Sequence, residues 1–352
     1  MTKLTELNHY RLVGRSGLRV SPLCLGTMTF GLEWGWGSDK EVSRQIFDTY
    51  LDRGGNFIDT ANYYTAGTSE EWIGDFMQGK REEIVLATKY SLTMREGDPN
   101  AGGNNRKNLI QSLEASLKRL KTDYIDLYYM HVYDNRTPMD EVMRAMEDMV
   151  KSGKVLYVAI SDTPAWRIAQ ANTLADFRGW APFIGLQIPY SLVERTVEQE
   201  LIPMAQELGL GLIPWSPLGG GLLTGKYSRK DLELESTRDD NRRGINKKLL
   251  TEKNFQIIDE LALIAKETGY SQAQVAINWV LRRPGVCSPI IGARTMKQLE
   301  SNLASLDFSL SDEQMERLNN LSAVEPIFPY SFLGSDIMDA RVTSGTVVEK
   351  RG

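Results

Sequence analysis

Four side chains that together could protonate a developing oxyanion lie at or just after the ends of apolar runs. Asp59 and Tyr64 fall in "FIDTANYY", Lys89 ends "IVLATK", and His131 ends "YIDLYYMH". Taken singly, Asp59 and Lys89 read as rim charges and His131 as a hydrogen-bonded core histidine. Delivered to one rim, they read differently. An aspartate beside Lys89 holds the ammonium charged within apolar surroundings. That cation is expected to favour the Tyr64 phenolate and lower a pKa that begins near about 10. Reaching neutrality takes roughly 4 kcal/mol of differential interaction, much of which one close cation in a dry site can supply. Such a tyrosine can protonate an oxygen as negative charge builds on it, with His131 hydrogen-bonded to the same oxygen. This is equipment for reducing a carbonyl. The hydride must come from a cofactor, because no side chain donates one.

A second stretch, "SPLGGGLLTGKY" over 216–227, places Gly220, Gly225 and Lys226 in a G-x-x-x-x-G-K pattern. A P-loop requires Ser or Thr next, to set a hydroxyl on Mg²⁺. Tyr227 stands there instead, which argues against a nucleoside triphosphatase. Gly220 and Gly221 still allow a backbone to approach a phosphate closely, with Lys226 as a candidate charge partner.

The elements that must position these groups alternate along the chain. Strand-like runs cover 19–26, 56–60, 84–89, 124–131, 155–161, 184–190, 211–217 and 288–293. Amphipathic helical patterns lie between them, among them 108–120, 139–150 and 196–209. Short apolar strands separated by helices imply parallel strands covered on their outer side. Eight such units in unbroken alternation predict an α/β fold, a (β/α)₈ barrel. No G-x-G-x-x-G occurs at an early strand-to-helix turn, which argues against a doubly wound dinucleotide sheet. "YRLVGRSGLRV" ahead of the barrel reads as a hairpin placed to plug its bottom. The expected organisation is one domain over 1–352, with its core at about 19–310 and a tail at 323–352 lacking clear periodicity. Met139, Met143, Met146 and Met149 sit at helical spacing, as expected of a packed helix face rather than a soft-metal stripe. No internal repeat is visible.

Composition narrows the function classes. The chain has 352 residues, 41% hydrophobic and 25% charged, with a net charge of −5. That balance gives no reason to expect a nucleic-acid partner. No apolar run approaches the roughly 20 residues a bilayer span needs, and the N-terminus carries no secretory h-region. Two distant cysteines and two histidines make no metal spacing. A cytoplasmic protein with reduced thiols and no metal is the expectation.

The pattern "DTANYY…TKY…YMH" resembles the catalytic tetrad of the aldo-keto reductases, and the likeness extends from about residue 10 to about residue 320. The resemblance implies Asp59, Tyr64, Lys89 and His131 as the tetrad, with Tyr64 as proton donor. It implies NADP(H) bound across the barrel mouth, with NAD(H) as the alternative, and a small carbonyl substrate. "GTM" resembles a segment touching ribose and substrate, which implies Gly26, Thr27 and Met28. "AISD" and "LQIPYS" resemble the nicotinamide-carboxamide segments, which implies Ser161, Asp162 and Gln187. Asp162 stands where the family usually has Asn, and an ionised acid accepts from an amide but cannot donate to it. "WSPLGGG" implies Trp215 as the platform stacked on the nicotinamide, with Ser216, Leu218 and Gly220 at the pyrophosphate. Lys226 joins them as the candidate charge. "GARTMKQLESNL" implies Arg294, Gln298 and Asn302 at the adenosine end. The planar fork of Arg294 suits a 2′-phosphate and hence NADP.

A second reading within the same superfamily is a regulatory subunit resembling the potassium-channel β subunits, in which bound NADP(H) senses redox state. The intact His131 favours the enzyme. Substrate choice belongs to the loops at 30–40, 91–105 and 219–247. Trp34, Trp36, Met94 and Tyr133 are the candidates for an apolar pocket. The basic run "NRRGINKK" at 241–248 reads as a solvated loop or a lid over the cofactor's phosphates.

Overall fold

The structure, a computed structural model, describes residues 4–232 and 249–348. Eight parallel strands form the core: β3 (Cys24–Gly26), β4 (Phe57–Asp59), β5 (Val85–Tyr90), β6 (Ile125–Met130), β7 (Val155–Ser161), β8 (Phe183–Pro189), β9 (Gly211–Trp215) and β10 (Ile290–Gly292). They are hydrogen-bonded in the order β10-β3-β4-β5-β6-β7-β8-β9. A parallel bridge between Leu212 and Val286 closes the ring beside β9. This is a (β/α)₈ barrel, reached through helices that return the chain to the start of each next strand.

Period-two alternation decides what faces inward. Val85 and Ala87 of β5, Phe57 of β4, and Leu127 and Tyr129 of β6 belong to the barrel interior. Continuing each alternation outward delivers Asp59, Lys89 and His131 to the same inner wall at the C-terminal ends of the strands. The other residues of these strands, such as Ile58, Leu86, Tyr128 and Met130, pack under the helices.

The run 19–26 is not one strand. Arg19–Val20 (β2) pairs antiparallel with Arg11–Leu12 (β1), and the barrel strand begins only at Cys24. Pro22 intervenes, and a proline without an N–H interrupts a ladder. The resulting hairpin closes the N-terminal end of the barrel, with Val13 and Val20 inserted among the interior side chains. Gly14 makes the fit possible. Its φ is +54°, and a Cβ there would lie 2.4 Å from the Ile184 carbonyl oxygen and 2.5 Å from that of Gly209.

The helices follow their sequence signals closely. Asp39 caps α1 (Lys40–Asp52) and Asn105 caps α3 (Arg106–Leu120), each accepting a backbone N–H of the first turn. All four methionines of the 139–149 stripe are buried on α4 (Met139–Lys151), as a packed face requires. The pattern at 196–209 divides into a short 3₁₀ turn, Thr196–Glu198, and a helix at Leu201–Leu208. Pro203 is the physical reason: it fits a first helical turn but clashes with a helical carbonyl at residue 199. The tail also departs from expectation, since Tyr330–Leu333 and Asp336–Val342 are helical. Ser335 caps the latter, accepting from the Met338 N–H. With Phe328, Phe332 and Ile337 exposed, these turns have no apolar periodicity that a sequence could reveal.

Candidate active site

Lys89 organises the rim. Its side chain is fully buried and its ammonium has three donors. They reach Asp59 Oδ1 at 2.5 Å, the Thr60 carbonyl at 2.8 Å and the Tyr64 hydroxyl at 3.1 Å. The other Asp59 oxygen accepts from Gln187 Nε2 at 2.9 Å. Burial alone would lower the Lys89 pKa, but the charges of Asp59 and Tyr64 and their hydrogen bonds outweigh it and raise it. The lysine therefore stays a cation, with every donor occupied.

Tyr64 follows β4 on a 3₁₀ turn, Tyr64–Gly67, in which Thr65 and Ala66 are both left-handed, at φ 47° and 54°. Such backbone costs of order 1–3 kcal/mol per residue and persists only where its surroundings hold it. Thr65 Oγ1 donates to the Phe30 carbonyl at 2.6 Å and accepts from the Ser69 N–H. Ser69 Oγ in turn donates to the Thr27 carbonyl and meets the hydroxyls of Thr27 and Thr60. A buried hydroxyl network thus fixes the turn that aims Tyr64.

The expected lowering of the Tyr64 pKa is not what the structure gives: the phenol is raised above its ordinary value. Desolvation is the largest cause, and the Lys89 charge opposes it only in part. The 2.5 Å partner of that lysine adds to the burial. Asp59 offsets the charge of Lys89, so Tyr64 sees something close to a dipole rather than a free cation. His131 is held neutral, its pKa lowered to about 3 by burial and then by Lys89. Its ring stands perpendicular to Tyr64, 5.9 Å between centroids. Nδ1 is buried with no hydrogen-bond partner among the described residues.

The residues implied for a cofactor lie around the same mouth, in varied circumstances. Trp215 ends β9 with 37% of its surface exposed, and its indole N–H donates to Asp162 Oδ1 at 3.1 Å. Asp162 follows the buried Ser161 at the end of β7, with φ 40°. It keeps much of its surface open, yet its carboxyl lies deep enough among rim atoms for desolvation to raise its pKa, against the Trp215 bond and Lys89. Gln187 is buried and turned toward Asp59, so its amide N–H supports the tetrad.

Gly219, Gly220 and Gly221 are all left-handed, and a Cβ on Gly220 would meet nothing within 4 Å. The Gly220 backbone is therefore open to an approaching ligand, whereas a Cβ on Gly219 would lie 2.6 Å from Val193. Ser216 Oγ accepts from the Gly220 N–H at 2.9 Å, which shapes this loop, while Leu218 packs against the core. Lys226 is exposed, its ammonium 4.9 Å from the centroid of the Tyr227 ring. At the end of β10, Gln298 Oε1 accepts from the Arg294 N–H, and Asn302 donates to the Gly292 carbonyl. The Arg294 guanidinium makes no ion pair among the described residues. Gly26 lies tight against Ile290, Thr27 is buried with its hydroxyl on the Asp59 carbonyl, and Met28 is exposed.

Trp34 stands beside Tyr64. Its ring lies 5.6 Å from Trp36, 5.8 Å from Tyr63 and, edge-on, 6.5 Å from Tyr64. Met94 is exposed, and Tyr133 accepts from Arg167 Nε at 3.0 Å. Sequence reasoning missed Tyr63, Thr60, Thr65 and Ser69. Tyr63 stands beside Tyr64 in "NYY" and was legible as an aromatic pair, whereas a carbonyl or a buried hydroxyl leaves no signal. The run 241–248 lies outside the described residues.

The chain belongs to the aldo/keto reductase family, whose model matches residues 22–323. It is 38% identical to norsolorinic acid reductase stcV of Emericella nidulans over 93% of this chain and 85% of that protein. It is 37% identical to aryl-alcohol dehydrogenase [NADP(+)] of Phanerodontia chrysosporium over 93% and 89%. An uncharacterized oxidoreductase, YrpG of Bacillus subtilis, is 42% identical over 89% and 95%. The protein is accordingly an NAD(P)H-dependent oxidoreductase of this family, and the family's chemistry is carbonyl reduction. None of its described helices is long and apolar enough to cross a membrane.

Proposed function

We propose that the protein is an NADPH-dependent reductase of aryl aldehydes and ketones, with Tyr64 as proton donor. The observation that carries this reading is the buried ammonium of Lys89, shared between Asp59, the Thr60 carbonyl and the Tyr64 hydroxyl. The surroundings fit a dinucleotide: an exposed indole at Trp215, open left-handed backbone at Gly220, and a guanidinium at Arg294 with no ion pair among the described residues. A dinucleotide held by these residues would supply the hydride.

The residues handle the proton and the charge. Tyr64, its pKa raised, is fully protonated at neutral pH and gives its proton to the carbonyl oxygen as that oxygen becomes strongly basic. The O–H bond of the phenol breaks, the new O–H of the alcohol forms, and the remaining phenolate rests on Lys89. His131, neutral, orients the same oxygen through a ring N–H. Trp34, Trp36 and Tyr63 offer flat apolar surface against which an aromatic substrate stacks. Relatives named for aryl alcohols support that choice of substrate.

The test is NADPH consumption with benzaldehyde-type and aliphatic carbonyls. Tyr64→Phe should lower kcat by about 10²–10⁴-fold while NADPH still binds. Arg294→Ala should weaken NADPH binding and leave NADH binding nearly unchanged. Turnover that survives Tyr64→Phe would remove Tyr64 from the donor role.

A further inference from the structure

The charges next to the tetrad do not balance, and the imbalance has a consequence for the cofactor. Lys89 is matched by Asp59 at 2.5 Å, and His131 is neutral. Asp162 is different. Its side chain accepts from the uncharged indole N–H of Trp215 and has no salt bridge among the described residues. Its backbone N–H meets the Gln187 carbonyl at 3.4 Å and its carboxylate the Trp215 indole, while the Gln187 amide reaches Asp59, which sets Asp162 on the rim next to the tetrad. The left-handed backbone at φ 40° and the Trp215 bond hold it there. Sparsely populated backbone at a mouth is retained only where surroundings over-determine it.

We propose that Asp162 sets the redox preference of the bound nicotinamide: its carboxylate, pinned at the mouth by Trp215, favours the oxidised, cationic ring over the reduced, neutral one. The proposal rests on the cofactor reading above. Loss of a hydride turns a neutral dihydropyridine into a pyridinium cation, so a fixed anion nearby stabilises the product side of the hydride donation. The enzyme-bound cofactor thereby becomes a stronger reductant than the free one. An uncharged hydrogen-bonding residue at the same position has no such effect. Its bond to a part of the cofactor common to both redox forms moves both affinities together, whereas a charge moves their ratio.

That distinction defines the experiment. Dissociation constants of NADP⁺ and NADPH are measured by calorimetry on the wild type and on Asp162→Asn, at mildly alkaline pH so that the carboxyl is ionised. Asparagine tolerates left-handed backbone and retains an acceptor for the Trp215 N–H. Asp162→Gly, which also accepts φ > 0, provides a second variant without the charge. Solvent at the mouth screens the interaction, so the expected change is about tenfold, or about 1.4 kcal/mol. In both variants Kd for NADP⁺ should rise about tenfold relative to Kd for NADPH. If the ratio stays within about twofold of wild type while both constants move together, Asp162 acts through hydrogen bonding alone and the proposal fails. If the wild type binds neither dinucleotide, the cofactor reading fails and takes this proposal with it.

Discussion

Replacing Asp59 with asparagine should separate the structural role of the tetrad from its chemical one. Asp59→Asn keeps shape and volume but leaves Lys89, fully buried, without its anion. Breaking a buried pair by removing one partner costs about 3–5 kcal/mol, because the remaining charge is uncompensated. Here the Thr60 carbonyl and the Tyr64 hydroxyl remain as acceptors, while the amide introduced must share its space with the Gln187 N–H that now donates to Asp59. These effects oppose one another, so a loss of about 3 kcal/mol in urea unfolding at neutral pH is expected. The sign with pH follows from Lys89. In the wild type its pKa is raised, so the stability it contributes is present below the unfolded lysine pKa, about 10.4, and is lost as pH rises through the higher folded value. Without Asp59, burial is left to lower that pKa, and the deficit of the variant should shrink as pH rises from 7 toward about 10. Adding Lys89→Met removes the orphaned charge and should restore most of the lost stability, though not turnover. A single-variant loss below about 1 kcal/mol, or a double variant no more stable than the single, would refute the claim that this pair is dry and tightly coupled.

Two further outcomes follow from the same geometry. His131, its pKa lowered to about 3, contributes stability that is complete above the unfolded histidine pKa of about 6.5 and lost as pH falls toward 3. The stability difference between wild type and His131→Gln should therefore narrow in acid, and a difference that grows as pH falls would show the imidazole to be charged in the fold. Gly14→Ala should cost about 3 kcal/mol in urea unfolding, since its left-handed φ and close carbonyls leave no room for a Cβ. A loss under about 1 kcal/mol would mean that the hairpin can lift away from the barrel end.

Much of this architecture was legible in the sequence because its signals are local. The alternation of apolar runs with amphipathic segments reports the period of each element and its exposure, and eight repetitions leave few ways to close. The ends of those runs pointed to Asp59, Lys89 and His131, and "FIDTANYY" placed Tyr64 on the following turn. The methionine stripe and the hairpin were readable for the same reason. Where a local signal was weak or broken, boundaries moved: Pro22 divided one expected strand, Pro203 shortened a helix, and the tail hid two helices.

Relations between groups on different strands were decided by the tertiary structure alone. Composition and spacing identify a lysine and an aspartate as able to pair. Only closure of the barrel sets the separation at 2.5 Å, and only closure buries the Tyr64 phenol, whose desolvation reverses the expected direction of its shift while Asp59 offsets the cation. The turning of Gln187 onto Asp59, the Trp215 bond to Asp162, and the Thr27–Ser69 hydroxyl contact beneath Tyr64 likewise join residues far apart in the chain. Side-chain type and periodicity are written residue by residue, whereas desolvation and charge balance depend on depth and on neighbours that folding alone brings together.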